Sequence, residues 1–153
     1  MDGLLACDPR IKCSLGGAYG GRPTDGRFNL PSGLAFDHHR GLLLVIDFFD
    51  ALVQVFSCDS ADGACSFVSK FGGEEGDQPG QFRYPWGLAI DHDHDRILIT
   101  DNDNSRVQSW SLSEQSFLSC IGQQGSGGLE LRYPQGIAID KHHHRIVIVD
   151  TDN

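Results

Sequence analysis

Apolar residues along this chain come in short runs that close on an aspartate, and the runs recur at a nearly fixed interval. Leu42-Leu43-Leu44-Val45-Ile46 ends at Asp47, Arg96-Ile97-Leu98-Ile99-Thr100 at Asp101, and Arg145-Ile146-Val147-Ile148-Val149 at Asp150. A second run, opened by a proline, precedes each: Leu30-Pro31-Ser32-Gly33-Leu34-Ala35-Phe36-Asp37, Tyr84-Pro85-Trp86-Gly87-Leu88-Ala89-Ile90-Asp91, and Tyr133-Pro134-Gln135-Gly136-Ile137-Ala138-Ile139-Asp140. Pro31 to Pro85 is 54 residues, Pro85 to Pro134 is 49, and the run-ending aspartates repeat both steps. Unbroken apolar runs of this length suit strands covered on both faces. A repeat of about 50 residues with strand and turn signals, and no sustained helical periodicity, points to propeller blades.

One period reads as four short strands. Taking the middle copy, they are Gly87 to Asp91, Arg96 to Asp101, Arg106 to Ser111 and Phe117 to Ile121. A turn rich in His and Asp separates the first two, and an Asx-rich turn, Asn102 to Asn104, separates the next two. Gly33, Gly87 and Gly136 hold one position in the first strand, where a missing side chain lets equivalent strands converge on a crowded axis.

The third copy stops at Asn153, after its second strand, while pieces resembling third and fourth strands stand at the other end. Leu4-Leu5-Ala6-Cys7-Asp8 parallels Val55-Phe56-Ser57-Cys58-Asp59, and the segment from Cys13 to Gly21 parallels Cys65 to Gly73. The chain thus reads as two whole blades and two complementary halves over residues 1–153: 1–21 as strands three and four of a split blade, 28–73 and 82–122 as blades, and 131–153 as strands one and two of the split blade.

The pattern resembles the NHL repeat family, whose units combine a Pro-x-Gly-Ile-Ala-Asp strand with a second strand ending in Asp-Thr-x-Asn-x-Arg-Val-Gln. Pro134 to Asp140, Val149 to Asn153 and Asp101-Asn102-Asp103-Asn104-Ser105-Arg106-Val107-Gln108 carry the likeness; Asp47 to Gln54 lacks the Asn and Arg. The resemblance implies an all-β, six-bladed propeller. With three four-stranded blade equivalents per chain, two chains would complete it as a C2 homodimer, Leu4, Leu5 and Ala6 of one copy pairing with Ile146, Val147, Ile148 and Val149 of the other. The alternative is a fragment whose missing half lies elsewhere.

The formal charge of −9 opposes binding to phosphate backbones, and Lys and Arg are scattered singly, so nucleic acid is not the expected partner. No apolar run reaches bilayer-spanning length, and the N-terminus has no basic, then apolar, leader pattern. The expected location is therefore cytoplasmic, with no membrane partner. Five cysteines are an odd count, which fits a reducing compartment or one leftover thiol. Cys58 with Cys65, and Cys7 with Cys13, flank equivalent turns; free thiols are the favoured reading, with disulfides or zinc as alternatives.

Three sets of residues are candidates for chemistry. The first-to-second strand turns hold Asp37-His38-His39, Asp91-His92-Asp93-His94-Asp95 and Asp140-Lys141-His142-His143-His144, a rim where His92, His94, His142 and His144 are the candidate metal ligands. Solvated hairpins remain the simpler reading of that rim, and no cofactor is expected. The run-ending Asp47, Asp101 and Asp150 read as structural turn residues, because Asx side chains bond their own turn backbone. On the opposite face Trp86, Phe48, Phe49, Arg83, Arg132 and Gln135 form the candidate surface for a protein partner.

No nucleophile elbow, phosphate loop or dinucleotide fingerprint is present. The leading reading is a non-enzymatic interaction or scaffold module. The alternatives are a metal-dependent lyase or lactonase-like enzyme, for which the ring of Asp37, Asp91 and Asp140 is the place to look, and a propeller fragment with no function beyond assembly.

Overall fold

A computed structural model describes residues 25–58, 64–125, 127–128 and 130–153. The chain is all-β. The first sheet runs β1 (Pro31–Asp37), β2 (Leu42–Asp47), β3 (Leu52–Ser57) and β4 (Ser66–Gly72), antiparallel and in sequence order. The second repeats it with β5 (Pro85–Asp91), β6 (Arg96–Asp101), β7 (Arg106–Ser111) and β8 (Phe117–Ile121). A short parallel pair, β9 (Gln123–Gln124) and β10 (Glu130–Leu131), leads to a third, two-stranded sheet of β11 (Pro134–Asp140) and β12 (Arg145–Asp150). Residues 1–21, with the strands expected there, lie outside the described residues.

The innermost strand begins two residues earlier than its apolar run. Pro85 pairs with Asp101, the ladder breaks, and pairing resumes at Leu88 with Ile99; the first and third sheets do the same at Pro31 and Pro134. Proline donates no amide hydrogen, so the start of a strand on an inner edge suits it. The irregularity also frees Trp86 and Gly87 from the regular ladder, and these residues meet the neighbouring sheets.

Register explains how the sheets stack. Leu43 holds the place in β2 that Ile97 holds in β6, so Leu44 and Ile46 lie on the opposite face from the equivalents of Ile97 and Ile99. The two opposite faces meet. Leu44, Ile46, Val53, Val55 and Phe71 from the first sheet, and Leu88, Ile97, Ile99 and Trp110 from the second, form one buried cluster. Trp110 anchors it, 4.8 Å from the ring of Phe71 and 5.4 Å from that of Phe82. Each such side chain contributes roughly 1.5–3 kcal/mol on burial, so this joint is the main store of stability.

Close to the axis the joint tightens to backbone on backbone. A Cβ on Gly33 would collide with the Trp86 carbonyl oxygen and lie 3.1 Å from the Gly87 Cα. A Cβ on Gly87 would collide in the same way with the Gln135 carbonyl oxygen. The axial role expected for these glycines is met at both positions.

The run-ending aspartates are struts. Asp101 Oδ1 accepts the Arg83 amide at 2.7 Å, while its Oδ2 accepts Asn104 Nδ2 at 2.9 Å, Arg106 Nε at 2.7 Å and Gln108 Nε2 at 2.9 Å. Asp47 accepts the amides of Asn29 and Leu30, and Asp150 that of Arg132. Each strut ties the end of a second strand to the segment entering the first. Gln54 and Gln108 add a parallel tie, accepting from the amides of Gly26 and Gly80.

The first copy departs from the pattern at a cost. Asp50 stands where Asn104 donates to its strut, so a carboxylate faces Asp47. Burial, and then the neighbouring Asp47, push the Asp50 carboxyl above its ordinary range, against a partly offsetting bond from Asn29.

The cysteine reading needs correction. Cys58 and Cys65 are joined as a disulfide, with Cα atoms 4.2 Å apart, rather than left as free thiols. The Ser57–Ser66 pair at the end of the β3–β4 ladder brings the two flanking cysteines side by side. Cys120 is an exposed free thiol, and Cys7 and Cys13 lie outside the described residues. No helix among the described residues is long and apolar enough to cross a membrane.

Two substitutions separate a good strut from a poor one. Asp101→Ala strands Arg106 and Gln108 and is expected to destabilise by about 3–5 kcal/mol in urea unfolding. Asp50→Asn restores the donor of the other copy and is expected to stabilise by about 1 kcal/mol at pH 7. The raised folded-state pKa makes ionised Asp50 a penalty above that pKa, so the gain from Asp50→Asn should vanish below the ordinary value of 3.8.

Candidate interaction face

Each sheet has two ends, and they differ in chemistry. Pro31, Pro85 and Pro134 pair with Asp47, Asp101 and Asp150, so the residues between proline and glycine lie at the same end as the β2–β3 and β6–β7 turns. Asp37, Asp91 and Asp140 pair with Leu42, Arg96 and Arg145 at the other end, which carries the histidines.

At the first end an aromatic cluster crosses the joint between the first two sheets. The Phe48 ring stacks on Tyr84 at 4.8 Å and meets Trp86 edge-on at 5.5 Å, while Phe49 lies 5.2 Å from Phe48 and 6.3 Å from Tyr84. Such pairs are worth about 0.5–1.5 kcal/mol each beyond burial, so the cluster is a fixed surface. It is not a closed core: Phe49 is 46% exposed and Trp86 39%.

Tyr84 is not among the residues that the sequence singles out, yet it sits at the centre of this cluster. Its φ is +54°, and Tyr133, its equivalent, has +55°. A left-handed tyrosine costs about 1–2 kcal/mol, and such strain concentrates at functional surfaces. The signal that could have found it is the tyrosine before each of the second and third prolines.

The remaining candidates spread around the same end. Arg83 is part-exposed, its Nε 3.8 Å from Glu75 Oε1, and its amide serves the Asp101 strut. Arg132 repeats that amide bond with Asp150 in the third sheet. The Gln135 carbonyl accepts the Thr100 hydroxyl at 2.7 Å, which places Gln135 in the second joint, one blade away from the aromatic cluster.

At the other end the histidines are divided among local tasks. Asp91 Oδ2 lies 2.9 Å from His94 Nδ1 and accepts Arg96 Nε at 2.9 Å; Asp140 repeats this with His143 at 2.8 Å and Arg145 at 2.9 Å. Arg40 takes the equivalent place beside Asp37 and also reaches Asp95 of the next sheet at 3.1 Å. His92 stacks on His39 across the same joint, ring centres 4.2 Å apart. Of the candidate ligands, His94 is tied to its own aspartate, His92 to a histidine ring, and His142 packs edge-on against His143. His144 lines a cleft of about 40 Å³ with Asp91, Asp93, His94, Arg96 and Lys141. Among the described residues no three His, Cys, Asp or Glu side chains are grouped to hold a metal ion. His94 and His144 share that cleft, while His92 stacks on His39 and His142 packs on His143, so the four candidate ligands do not gather at one point.

The bonds within these turns shift the carboxylates. Burial pushes Asp37 and Asp91 up, but bonds from Arg40 and the turn amides, and from Arg96 and His94, outweigh it and leave both below the ordinary range. For Asp140 the bond from His143 is the largest influence, and the carboxyl is again lowered.

Stacked, twisted sheets whose inner strands converge through glycine on a common axis are blades of a β-propeller. Residues 82–109, which carry β5, β6 and the start of β7, match the NHL repeat family model, and the described sheets form a partial propeller. No curated relative matches the chain by sequence. Among solved structures it is similar to a luciferin-regenerating enzyme, with 15% identity and a TM-score of 0.56 over 73% of this chain and 34% of that one. An auxiliary nutrient binding protein from Bacteroides thetaiotaomicron matches at 12% identity and a TM-score of 0.62, over 76% and 34% of the two chains. A Bacteroides uniformis protein assigned as a 6-phosphogluconolactonase matches at 11% identity and 0.60, over 78% and 33%. The chain spans about a third of the length of these structures, and at such identities the likeness is one of fold.

The turn carboxylates set an acid limit. Their folded-state pKa values lie below the unfolded value of 3.8, so their contribution to stability is full above 3.8 and is lost as pH falls through the folded values. Melting temperature is expected to be flat near neutrality and to drop below about pH 4, with a shallower drop in Asp91→Asn.

Proposed function

We propose that the chain is a non-enzymatic, protein-binding scaffold built from NHL repeats, which a second copy completes to a six-bladed ring. The observation that carries the binding role is the half-exposed cluster of Phe48, Phe49, Tyr84 and Trp86, fixed in place by ring stacking and spanning two blades. Aromatic residues held rigid at a solvent-facing joint lose little entropy on binding, which is what an interaction surface needs. The acidic charge of −9 favours a protein partner over nucleic acid.

Supporting the assembly are the two ends of the stack. The outer edge of β12 has no strand partner among the described residues, and apolar side chains on the first and third sheets face solvent. An unpaired edge beside exposed apolar surface is unstable against association unless another strand covers it. In this reading the split blade is closed by residues 3–20 of the second copy.

The enzyme alternative finds less support. The strand-ending Asp37, Asp91 and Asp140, its candidate acidic ring, spend their oxygens on turn amides, Arg40, Arg96 and Arg145.

Two measurements test the proposal. Light scattering should give twice the 16.7 kDa chain mass; a concentration-independent monomer contradicts the assembly. Peptides selected from a displayed random library on the wild-type protein should bind a Phe48→Ala, Trp86→Ala variant at least tenfold more weakly, with its circular dichroism unchanged. Equal binding to both proteins removes this face from the account.

A further inference from the structure

The repeat register identifies a specific seat for the second copy. In the first joint the Gly33 position is filled by the carbonyl of Trp86, the residue between proline and glycine in the next blade. In the second joint the Gly87 position is filled by the carbonyl of Gln135, the equivalent residue one blade on. Gly136 is the third member of this series, and no residue of another blade fills its seat among the described residues. Among the described residues a Cβ there would meet only its own sheet, at Val149 Cγ2, 3.4 Å away. Its backbone is not left-handed, so glycine is not demanded by conformation.

The side chains around this seat repeat the pattern. On the first sheet, Ala35, Leu44 and Ile46 face the next blade and belong to or pack on the buried cluster. Their equivalents on the third sheet are Ala138, Val147 and Val149, and Val149 is 60% exposed. On the receiving side, Leu88 is 7% exposed, whereas its first-sheet equivalent Leu34 is 68% exposed. One end of the stack therefore presents a donor face, and the other presents the matching acceptor face.

We infer that Gly136 of one copy receives the Ser32 carbonyl of a second copy, with Val147 and Val149 packing against Leu34 and Phe36. This inference rests on the two-copy ring proposed above and adds where and how the copies join. It continues an interface already made twice within the chain, and it explains a glycine that nothing among the described residues requires. The arrangement is reciprocal: each copy offers Gly136 at one end and Ser32 at the other, so two joints close the ring by a two-fold rotation.

The test uses Gly136→Ala, a substitution that an isolated chain accommodates with ordinary van der Waals contact. Its fold is checked by circular dichroism and melting at a concentration where the wild type is dissociated. Sedimentation should show the dimer dissociation constant raised at least tenfold in Gly136→Ala and in Val149→Lys, a change at a position that is solvent-exposed in the single chain. A wild-type dimer whose dissociation constant neither substitution alters overturns the seat while leaving the two-copy reading intact. A wild type that stays monomeric at all concentrations overturns both.

Discussion

Every blade in this chain is apolar on both faces, and a sheet cannot bury two faces by itself. The joint between blades is therefore the interaction on which the structure depends. Trp110, Phe71 and Phe82 fill its outer part, branched aliphatic side chains fill its middle, and glycine on carbonyl fills its axis. Hydrogen bonds reinforce it at intervals, from Ser32 to the Pro85 carbonyl and from Thr100 to the Gln135 carbonyl. Polar groups of the kind that build catalytic sites are used here as fasteners within each blade. Asp101 gathers a backbone amide, two side-chain amides and a guanidinium, and has no oxygen left over for a ligand.

Much of this was legible in the chain because the repeat makes three independent copies of one instruction. The strands from Arg96 to Ile121 match their expected limits, and Asp47, Asp101 and Asp150 are structural as expected, although they bind amides 17 or 18 residues away in the segments entering the first strands and not their own turn backbone. The axial glycines were legible for the same reason. The departures are equally instructive. The early start of β5 at Pro85 depends on a ladder irregularity that no local pattern announces. The Cys58–Cys65 bond depends on the register of β3 with β4, which brings the cysteines together only once Ser57 and Ser66 pair.

The site was legible in part. Phe48, Phe49 and Trp86 stood out because large aromatics occupy solvated loop positions, and the structure joins them. Their organiser, Tyr84, was hidden in a repeated motif, where its left-handed backbone could not be read. The histidine-rich turns read more simply as solvated hairpins than as a shared ligand set, and in the structure an aspartate at the head of each turn captures an imidazole or guanidinium locally. Proximity in the repeat produced parallel caps instead of a common centre.

The central claim is that the third sheet is half of a blade completed by another copy. Hydrogen exchange along β12 tests it most directly, because its inner amides bond to β11 in any state while its outer amides bond only if a further strand is added. The account predicts slow exchange at alternate amides on both sides of Arg145–Asp150, comparable to Arg96–Asp101, and loss of the outer set on dilution. Fast exchange of the outer set at every concentration would contradict it.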